Sequence, residues 1–447
     1  MATRKTRKRY RINKGRMLLI AGCLVLVLMA IPLLKPAADI EPDPDPEPEP
    51  REVSLTIRCA GDIMGHLSQL IANYDDATGT YDFSLDYEYV RDYIREADLS
   101  LCNIETTFAG KTPYTGYPFF NSPDQLAFDV AGVGFDVALF SNNHMLDTKT
   151  AGMDRTLEVL RSAGLKTAGA RLPGEERTTM VSVGEVKAGI VSYTYETGLY
   201  NGHRTLNGSI IPQEAQERIN SFRYYKIEED LKRIGEDIDA LRGKDADIVI
   251  VYLHWGNEYQ RKASQADRSI AQAVAEAGAD IIFASHPHVV QEVEEIYIEV
   301  PAAAGEPGDP DEGAHTGDPD EGESAPAPVQ KRTVPVFYSM GNFISNQRQE
   351  TLDNRYTEQG MIASVDLVYD VDARVIRSVK TSFIPTWVEK YRTGGRTRYA
   401  IVPLVGDYLS NPELVASGHG SRAAQALADM TALIGEQYLY QPEGRSE

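Results

Sequence analysis

Six short stretches of the chain concentrate carboxylates, amides and imidazoles. They are Gly61-Asp62-Ile63-Met64-Gly65-His66, Asn103-Ile104-Glu105-Thr106, Ser141-Asn142-Asn143-His144-Met145-Leu146-Asp147, His254-Trp255-Gly256-Asn257-Glu258-Tyr259, Ser285-His286-Pro287-His288 and Ser339-Met340-Gly341-Asn342-Phe343. Asp62, Glu105, Asn143, His254, His286 and His288 together make a mixed nitrogen and oxygen donor set without a thiolate. Such a set suits borderline divalent ions, Mn, Fe or Zn, one or two of them. Two ions about 3.5–4 Å apart on a bridging carboxylate would clamp a phosphate and produce hydroxide from water at neutral pH. His144, adjacent to Asn143, is the candidate catalytic group, placed to protonate a leaving group or stabilise transition-state charge. His66, Asn103, Asn142, Asp147, Glu258, Tyr259 and Asn342 are candidates for supporting or substrate contacts.

Each cluster taken alone has an ordinary explanation. Asp62 after a strand is a natural helix N-cap, and Asn142-Asn143 suits a left-handed turn. A lone His-Pro-His is often a surface feature. Glu258 and Tyr259 have Arg261 and Lys262 nearby as partners, while His203 and His419 stand in Gly-rich loops and are expected to face solvent. The recurrence of the clusters carries the argument, because each follows a β-rich run.

Those runs are Ser54 to Ala60, Asp98 to Asn103, Asp136 to Phe140, Asp247 to Leu253, Asp280 to Ala284 and Val334 to Tyr338. Amphipathic helical stretches lie between them, such as Met153 to Ala163 and Asp267 to Ala277, each ended by a glycine, Gly164 or Gly278. Alternating strands and helices predict an α/β domain. Ligands in such domains bind outside the carboxyl ends of strands, so the six clusters are predicted to meet in one crevice. Cys59 and Cys102 lie inside apolar runs and read as buried small hydrophobes.

The charge is unevenly placed. The formal net charge is −21, yet residues 1–16 hold eight Lys or Arg and no acid, so the rest is more acidic than the whole. That excludes a nucleic-acid partner for the main body. The basic head runs into the uncharged apolar stretch Met17 to Leu34, long enough for a transmembrane helix, and the positive-inside rule puts the N-terminus in the cytoplasm. Cleavage as a signal peptide is the competing reading; the run is longer than a usual signal core and Pro36-Ala37-Ala38 is a poor cleavage site. A Pro/acidic linker over residues 35–52 follows, then a main domain over 53–405, with a helical tail over 406–447 whose helix is expected from Arg422 to Tyr438. The main domain carries an acidic insertion over 301–330, where Gly-Asp-Pro-Asp-Glu-Gly occurs twice and disorder is expected.

The six motifs in this order resemble the CapA/PgsA family of poly-γ-glutamate capsule proteins, over roughly Val53 to Pro385. That family is in turn similar to calcineurin-like metallophosphoesterases. The resemblance implies a four-layer α/β/β/α sandwich behind one N-terminal transmembrane helix, on the extracytoplasmic face of the cell membrane. It also implies that Asp62, Asn143, His144, His254, His286 and His288 take the metallophosphoesterase roles. Met64 stands where those enzymes place a histidine and Glu105 near their bridging aspartate, so one metal site is weakened or is rebuilt with His66 or Asn103. The expected function is support of polymer assembly or export, with an anionic polymer or phosphate-containing substrate and a membrane polyglutamate synthase as partners. A secreted metal-dependent hydrolase unconnected with capsule and a non-catalytic scaffold are the alternatives. Net charge argues against a basic polymer-binding face, leaving bound cations to attract a polyanion.

Overall fold

The computed structural model describes residues 50–301 and 329–441; the basic head, the apolar run at 17–34, most of the linker and the acidic insertion lie outside them. Residues from Pro50 onward form one compact unit. The chain enters it along β1 (Glu52–Ile63), followed by α1 (Leu67–Ala72), β2 (Leu99–Ile104), α2 (Gln125–Val133), β3 (Val137–Phe140), α3 (Lys149–Ser162) and β4 (Lys166–Gly169). It continues through β5 (Thr179–Val183), β6 (Val186–Tyr195), β7 (Ser221–Phe222), α4 (Ile227–Arg242), β8 (Ile248–His254), α5 (Gln265–Glu276) and β9 (Ile281–Ser285). A hairpin of β10 (Val293–Pro301) and β11 (Val329–Phe337) leads to β12 (Asn342–Ile344). The meander β13 (Gln359–Asp370), β14 (Val375–Thr393), β15 (Arg396–Pro403) and the final long helix α6 (Gly420–Ile434) complete the order.

Two sheets result. The first runs β15-β14-β13-β1-β2-β3-β4 with β12 against β1; the second runs β7-β6-β8-β9-β11-β10 with β5 against β6. In the first, β1 to β4 are parallel and the meander is antiparallel. In the second, all neighbours from β7 to β11 are parallel, and β10 is antiparallel. All six expected strands are present, within a few residues of their expected bounds, as are both expected helices.

Side-chain alternation makes the layers. In β8, Ile248, Ile250 and Tyr252 face the other sheet with Leu55, Ile57 and Leu139, while Val249, Val251 and Leu253 face Ile234 and Ile238 of α4 and Val274 of α5. On the far side of the first sheet, Ala60, Cys102 and Phe140 pack against Val130 of α2 and Leu157 of α3. Parallel strands buried on both faces read as continuous apolar runs because neither face meets water. Among the described residues the order is therefore helices, sheet, sheet, helices, a mixed α/β fold. Cys59 lies in the inter-sheet core and Cys102 in the helix-side core, both buried and unpaired.

The C-terminal helix spans Gly420–Ile434 and is followed by a short 3-10 turn at Glu436–Tyr438, so the expected single helix breaks at Gly435, whose φ is +110°. Ala423, Ala426, Met430 and Ile434 pack with Phe383 and Trp387 in the inter-sheet core. Ion pairs lock the register: Arg422 to the buried Glu358 at 2.6 Å and Arg355 to Asp429 at 2.8 Å. His203 is exposed as expected. His419 is not free in solvent: its Nδ1 lies 2.7 Å from the buried carboxylate of Glu389, which also accepts the Trp387 indole N–H. The sequence offered no signal for this pair, since β14 brings Glu389 from 30 residues away.

Among the described residues no helix is long and apolar enough to cross a membrane, and the expected span at 17–34 falls outside them.

Candidate metal centre

The carboxyl ends of β1, β2 and β3 in one sheet face those of β8 and β9 in the other, and the predicted ligands meet there. Glu105, His254 and His286 offer one set of ligand atoms all within 4.8 Å of one another; Asp62, Glu105 and His288 offer a second. Glu105 belongs to both. Its Oε1 lies 3.7 Å from His254 Nε2 and 3.8 Å from His288 Nε2, and His288 Nδ1 lies 3.0 Å from Asp62 Oδ2. Asn143 joins the first set, its Oδ1 being 2.9 Å from His254 Nε2. All six side chains are buried.

Local backbone explains how they reach the crevice. Pairing of β1 slips at Asp62, where it leaves the register of both β2 and β12. The Asp62 amide donates to the Gly341 carbonyl at 2.9 Å. A Cβ on Gly61 would stand 2.1 Å from that oxygen, so only glycine permits the approach. His286 and His288 flank Pro287 with φ of +108° and +55°. Left-handed backbone at a non-glycine residue costs on the order of 1–3 kcal/mol, and the two imidazoles are thereby turned inward together.

The polar surroundings are specific. Asn103 Nδ2 donates to Asp62 Oδ1 at 2.8 Å and to Glu105 Oε2 at 3.1 Å, while its Oδ1 accepts from Asn142. Asn103 therefore positions the two carboxylates as a donor instead of replacing a ligand, and Asn142 fixes Asn103. Asn342 donates to the His288 carbonyl at 3.2 Å and the Thr357 carbonyl at 2.9 Å, so it supports the loop that carries His288. His66 stays outside both ligand sets: its Nδ1 lies 3.2 Å from both the Asn346 amide and Gln69 Oε1, and burial pulls its pKa down to about 3. Met64 is buried and belongs to neither ligand set. The site thus has a fuller ligand set around Glu105, Asn143, His254 and His286 than around Asp62, Glu105 and His288.

The donor set fits a cation by three further observations. Glu105 Oε1 and His286 Nδ1 are buried with no hydrogen-bond partner. Burial, followed by the charge of neighbouring Asp62, pushes the Glu105 carboxyl well above the usual carboxylate range. Burial, and then repulsion from neighbouring imidazoles, hold His254 and His286 well below the usual imidazole value, in the neutral form that ligation requires. A divalent ion relieves both costs, satisfying the orphaned atoms and favouring the ionised carboxylate.

His144 sits beside this centre, with Nδ1 2.8 Å from Asp147 Oδ2. Asp147 also accepts the Phe120 amide at 2.6 Å, and the Phe120 ring stands edge-on to His144 at 4.7 Å. With Nδ1–H held by Asp147, Nε2 is the nitrogen available to a bound molecule. Glu258 and Tyr259 are exposed on the loop after β8, pinned where the Tyr259 amide donates to the Pro287 carbonyl at 2.7 Å. The Tyr259 ring lies 6.3 Å from His288, so this pair forms the rim of the site. Arg261, one of the two basic neighbours, stacks on Tyr356 and donates to the Asp429 carbonyl at 2.9 Å.

Three contributors escaped the sequence reading. The Tyr252 hydroxyl meets His254 Nδ1 at 3.1 Å; it precedes His254 by two residues on the same strand, so period-two alternation could have revealed it. Tyr195, at the end of β6, lies 4.7 Å ring to ring from His286; its strand was missing from the expected set. Phe120 comes from a loop and gave no signal.

The description "Bacterial capsule synthesis protein PGA_cap" matches residues 56–347, about two thirds of the chain and every motif of this centre. The chain belongs to the bacterial capsule synthesis protein family PGA_cap. Among curated relatives it is similar to a capsule biosynthesis protein CapA of Bacillus anthracis, 28% identical over 246 residues, covering 53% of this chain and 55% of the relative. It is also similar to a PGA biosynthesis protein CapA of Bacillus subtilis, 28% identical over 36% of this chain and 39% of the relative. A probable polyglutamine synthesis accessory protein of Mycobacterium tuberculosis is 27% identical over 44% of this chain and 51% of the relative. The matched segment spans about half the length of these relatives or less. A calcineurin-like phosphoesterase YfkN from Bacillus subtilis aligns with 85% of this chain and 99% of its own at TM-score 0.38 and 14% identity. A phosphatase from Mycoplasma pneumoniae aligns with 75% and 95% at TM-score 0.36 and 13% identity. The layered architecture therefore rests on the two sheets and three apolar clusters themselves.

Proposed function

We propose that this PGA_cap protein supports poly-γ-glutamate synthesis or export on the outer face of a membrane, through a divalent-metal centre that grips or acts on an anionic substrate. The single observation carrying this reading is Glu105, one carboxylate shared by two ligand sets in a capsule synthesis family. Asp62, Glu105 and His288 would hold one ion, and Glu105, Asn143, His254 and His286 the other. Bound there, divalent ions supply Lewis-acid charge for an anionic group. The chain's own residues do the rest. Asp147 holds the His144 tautomer with Nε2 turned away from it, positioned to exchange a proton with a substrate. Asn103 orients both carboxylates, and Glu258 and Tyr259 edge the opening.

The buried His144–Asp147 pair favours chemistry over a purely scaffolding role, because a structural metal would not require an oriented proton carrier beside it. A hydrolase acting on another phosphate-containing molecule is the second reading, favoured by the same pair. The apolar run at Met17 to Leu34 and its basic flank support placement at a membrane with the domain outside.

Elemental analysis of residues 50–447, wild type and His286→Ala with His288→Ala, is the direct test. We expect up to two equivalents of Mn, Fe or Zn in the wild type and near none in the double variant. No metal in either protein, even after reconstitution, would remove the metal centre and leave a scaffold.

A further inference from the structure

We infer that His66 is a substrate-binding residue, resting on the metal centre proposed above: its Nε2 presents an N–H donor to an anionic oxygen of the group held there. The imidazole lies outside both ligand sets, so ligation does not occupy it.

The tautomer follows from the partner of the other nitrogen. His66 Nδ1 lies 3.2 Å from the backbone amide of Asn346. A backbone amide can only donate, so Nδ1 offers its lone pair and the ring proton sits on Nε2. Gln69 Oε1, also 3.2 Å from Nδ1, has its own donor in the His66 backbone amide at 3.0 Å. Asn346 is fixed in turn, its Oδ1 accepting from the Tyr399 hydroxyl at 2.6 Å and from Lys390 Nζ at 3.0 Å.

The loop between β2 and α2 packs against the His66 backbone and leaves no room for side chains around it. A Cβ on Gly65 would stand 2.0 Å from Ser122 Oγ, and one on Gly116 would stand 2.5 Å from the Leu67 amide nitrogen. Phe120, from the same loop, touches both imidazoles, with ring centroids 5.1 Å from His66 and 4.7 Å from His144 and ring planes near perpendicular to each. The charge neighbours of His66 are His288, a candidate ligand, and His144. Nε2 itself has no partner among the described residues and is not sealed from solvent. A held N–H donor with nothing to donate to, beside a ligand and the candidate proton carrier, suits an incoming oxyanion.

The two imidazoles are complementary. His144 gives its Nδ1–H to Asp147 and keeps a lone pair at Nε2, whereas His66 accepts at Nδ1 and donates at Nε2. One exchanges a proton with the bound group and the other steadies its charge, so they do not compete for the same proton.

The tautomer is tested by nitrogen NMR of histidine-labelled residues 50–447 after chelator treatment, with His66 assigned by comparison with His66→Phe. It should carry Nε2–H; an Nδ1–H tautomer would overturn the inference whether or not the protein binds metal. Inorganic phosphate is the probe for the metal-loaded protein, because it offers oxygens to the ions and to both imidazoles. His66→Phe, which keeps a ring against Phe120 and lacks the donor, should retain its metal and bind phosphate about tenfold more weakly or worse, the loss expected for a hydrogen bond to a charged group. His66→Gln, which keeps a side-chain N–H, should lose less. Unchanged phosphate affinity in metal-loaded His66→Phe would overturn the inference alone. Loss of metal in that variant would overturn it too, by making His66 a ligand. Absence of metal from the wild type, seen by elemental analysis before phosphate is added, would instead fail the metal centre and this inference with it.

Discussion

The two ends of the parallel strands treat charge in opposite ways. At the carboxyl end, carboxylates and imidazoles are buried together with atoms left unpartnered, and the arrangement is costly until a cation arrives. At the amino end, arginines are braced by aspartates and backbone carbonyls and remain partly exposed. Unsatisfied burial marks the first as a site poised for a strongly bound ion. At the second, charge is already paired and partly screened, so it is satisfied without a ligand.

The comparison predicts separable losses. Glu105→Gln should give the largest effect, removing the shared ligand and with it most bound metal, read as metal equivalents falling from about two toward zero. The ion pairs at the amino end should be unaffected, so the melting midpoint of the chelated protein should not collapse; a variant that unfolded outright would break the division into two independent regions. Next, His144→Ala should lower any hydrolytic rate of the loaded protein by about 10²–10⁴-fold with metal content intact. Asp147→Asn should lower it by about 10–100-fold, because the imidazole survives but loses the partner that fixes its tautomer. Equal metal and equal rate in all three proteins would reduce the centre to a structural ion site.

The smallest effect concerns pH. Glu105 has a folded pKa above its unfolded value of about 4.3. The ion-free folded state therefore holds a proton that the unfolded chain has lost, and stability falls as pH rises through that interval. An ion displaces this proton, so affinity should rise with pH by at most tenfold per unit. His254 and His286 work in the opposite sense. Their folded values lie below the unfolded value of about 6.5, so stability without metal is lost as pH falls below it. Melting of chelated and Mn-loaded protein across pH 4.5–7.5 (an approximate window set by those reference values) should show the midpoint gap widening with pH. A constant gap would mean that Glu105 is ionised without an ion.

Much of the centre was legible because strand ends are local. Apolar runs that stop at Asp62, Asn103, Phe140, Leu253 and Ala284 announce a change of environment, and the polar residues after them have nowhere to go but the crevice. Asp62, Glu105, Asn143, His254, His286 and His288 do meet there, and His144 stands beside them. Apart from Tyr252, two residues from His254, the contributors that were missed depend on partners distant in sequence. Glu389 reaches His419 across 30 residues, and Phe120 reaches Asp147 across 27. The ion pairs at the amino end were hidden more completely, since their cations are scattered from Arg242 to Arg374 among acids and look like ordinary surface charge.

By itself, then, the sequence determined the alternation of strands and helices, the donor types and their order, because hydrophobic periodicity and strand termination act over a few residues. Only the tertiary structure decided that Glu105 is shared between two ligand sets, that Asn103 donates to the carboxylates instead of ligating, that His66 stays out, and that dispersed arginines gather on Asp247 and Asp280. Those outcomes depend on which strand ends face each other across two sheets and how they are registered, and that is set by packing of the whole core.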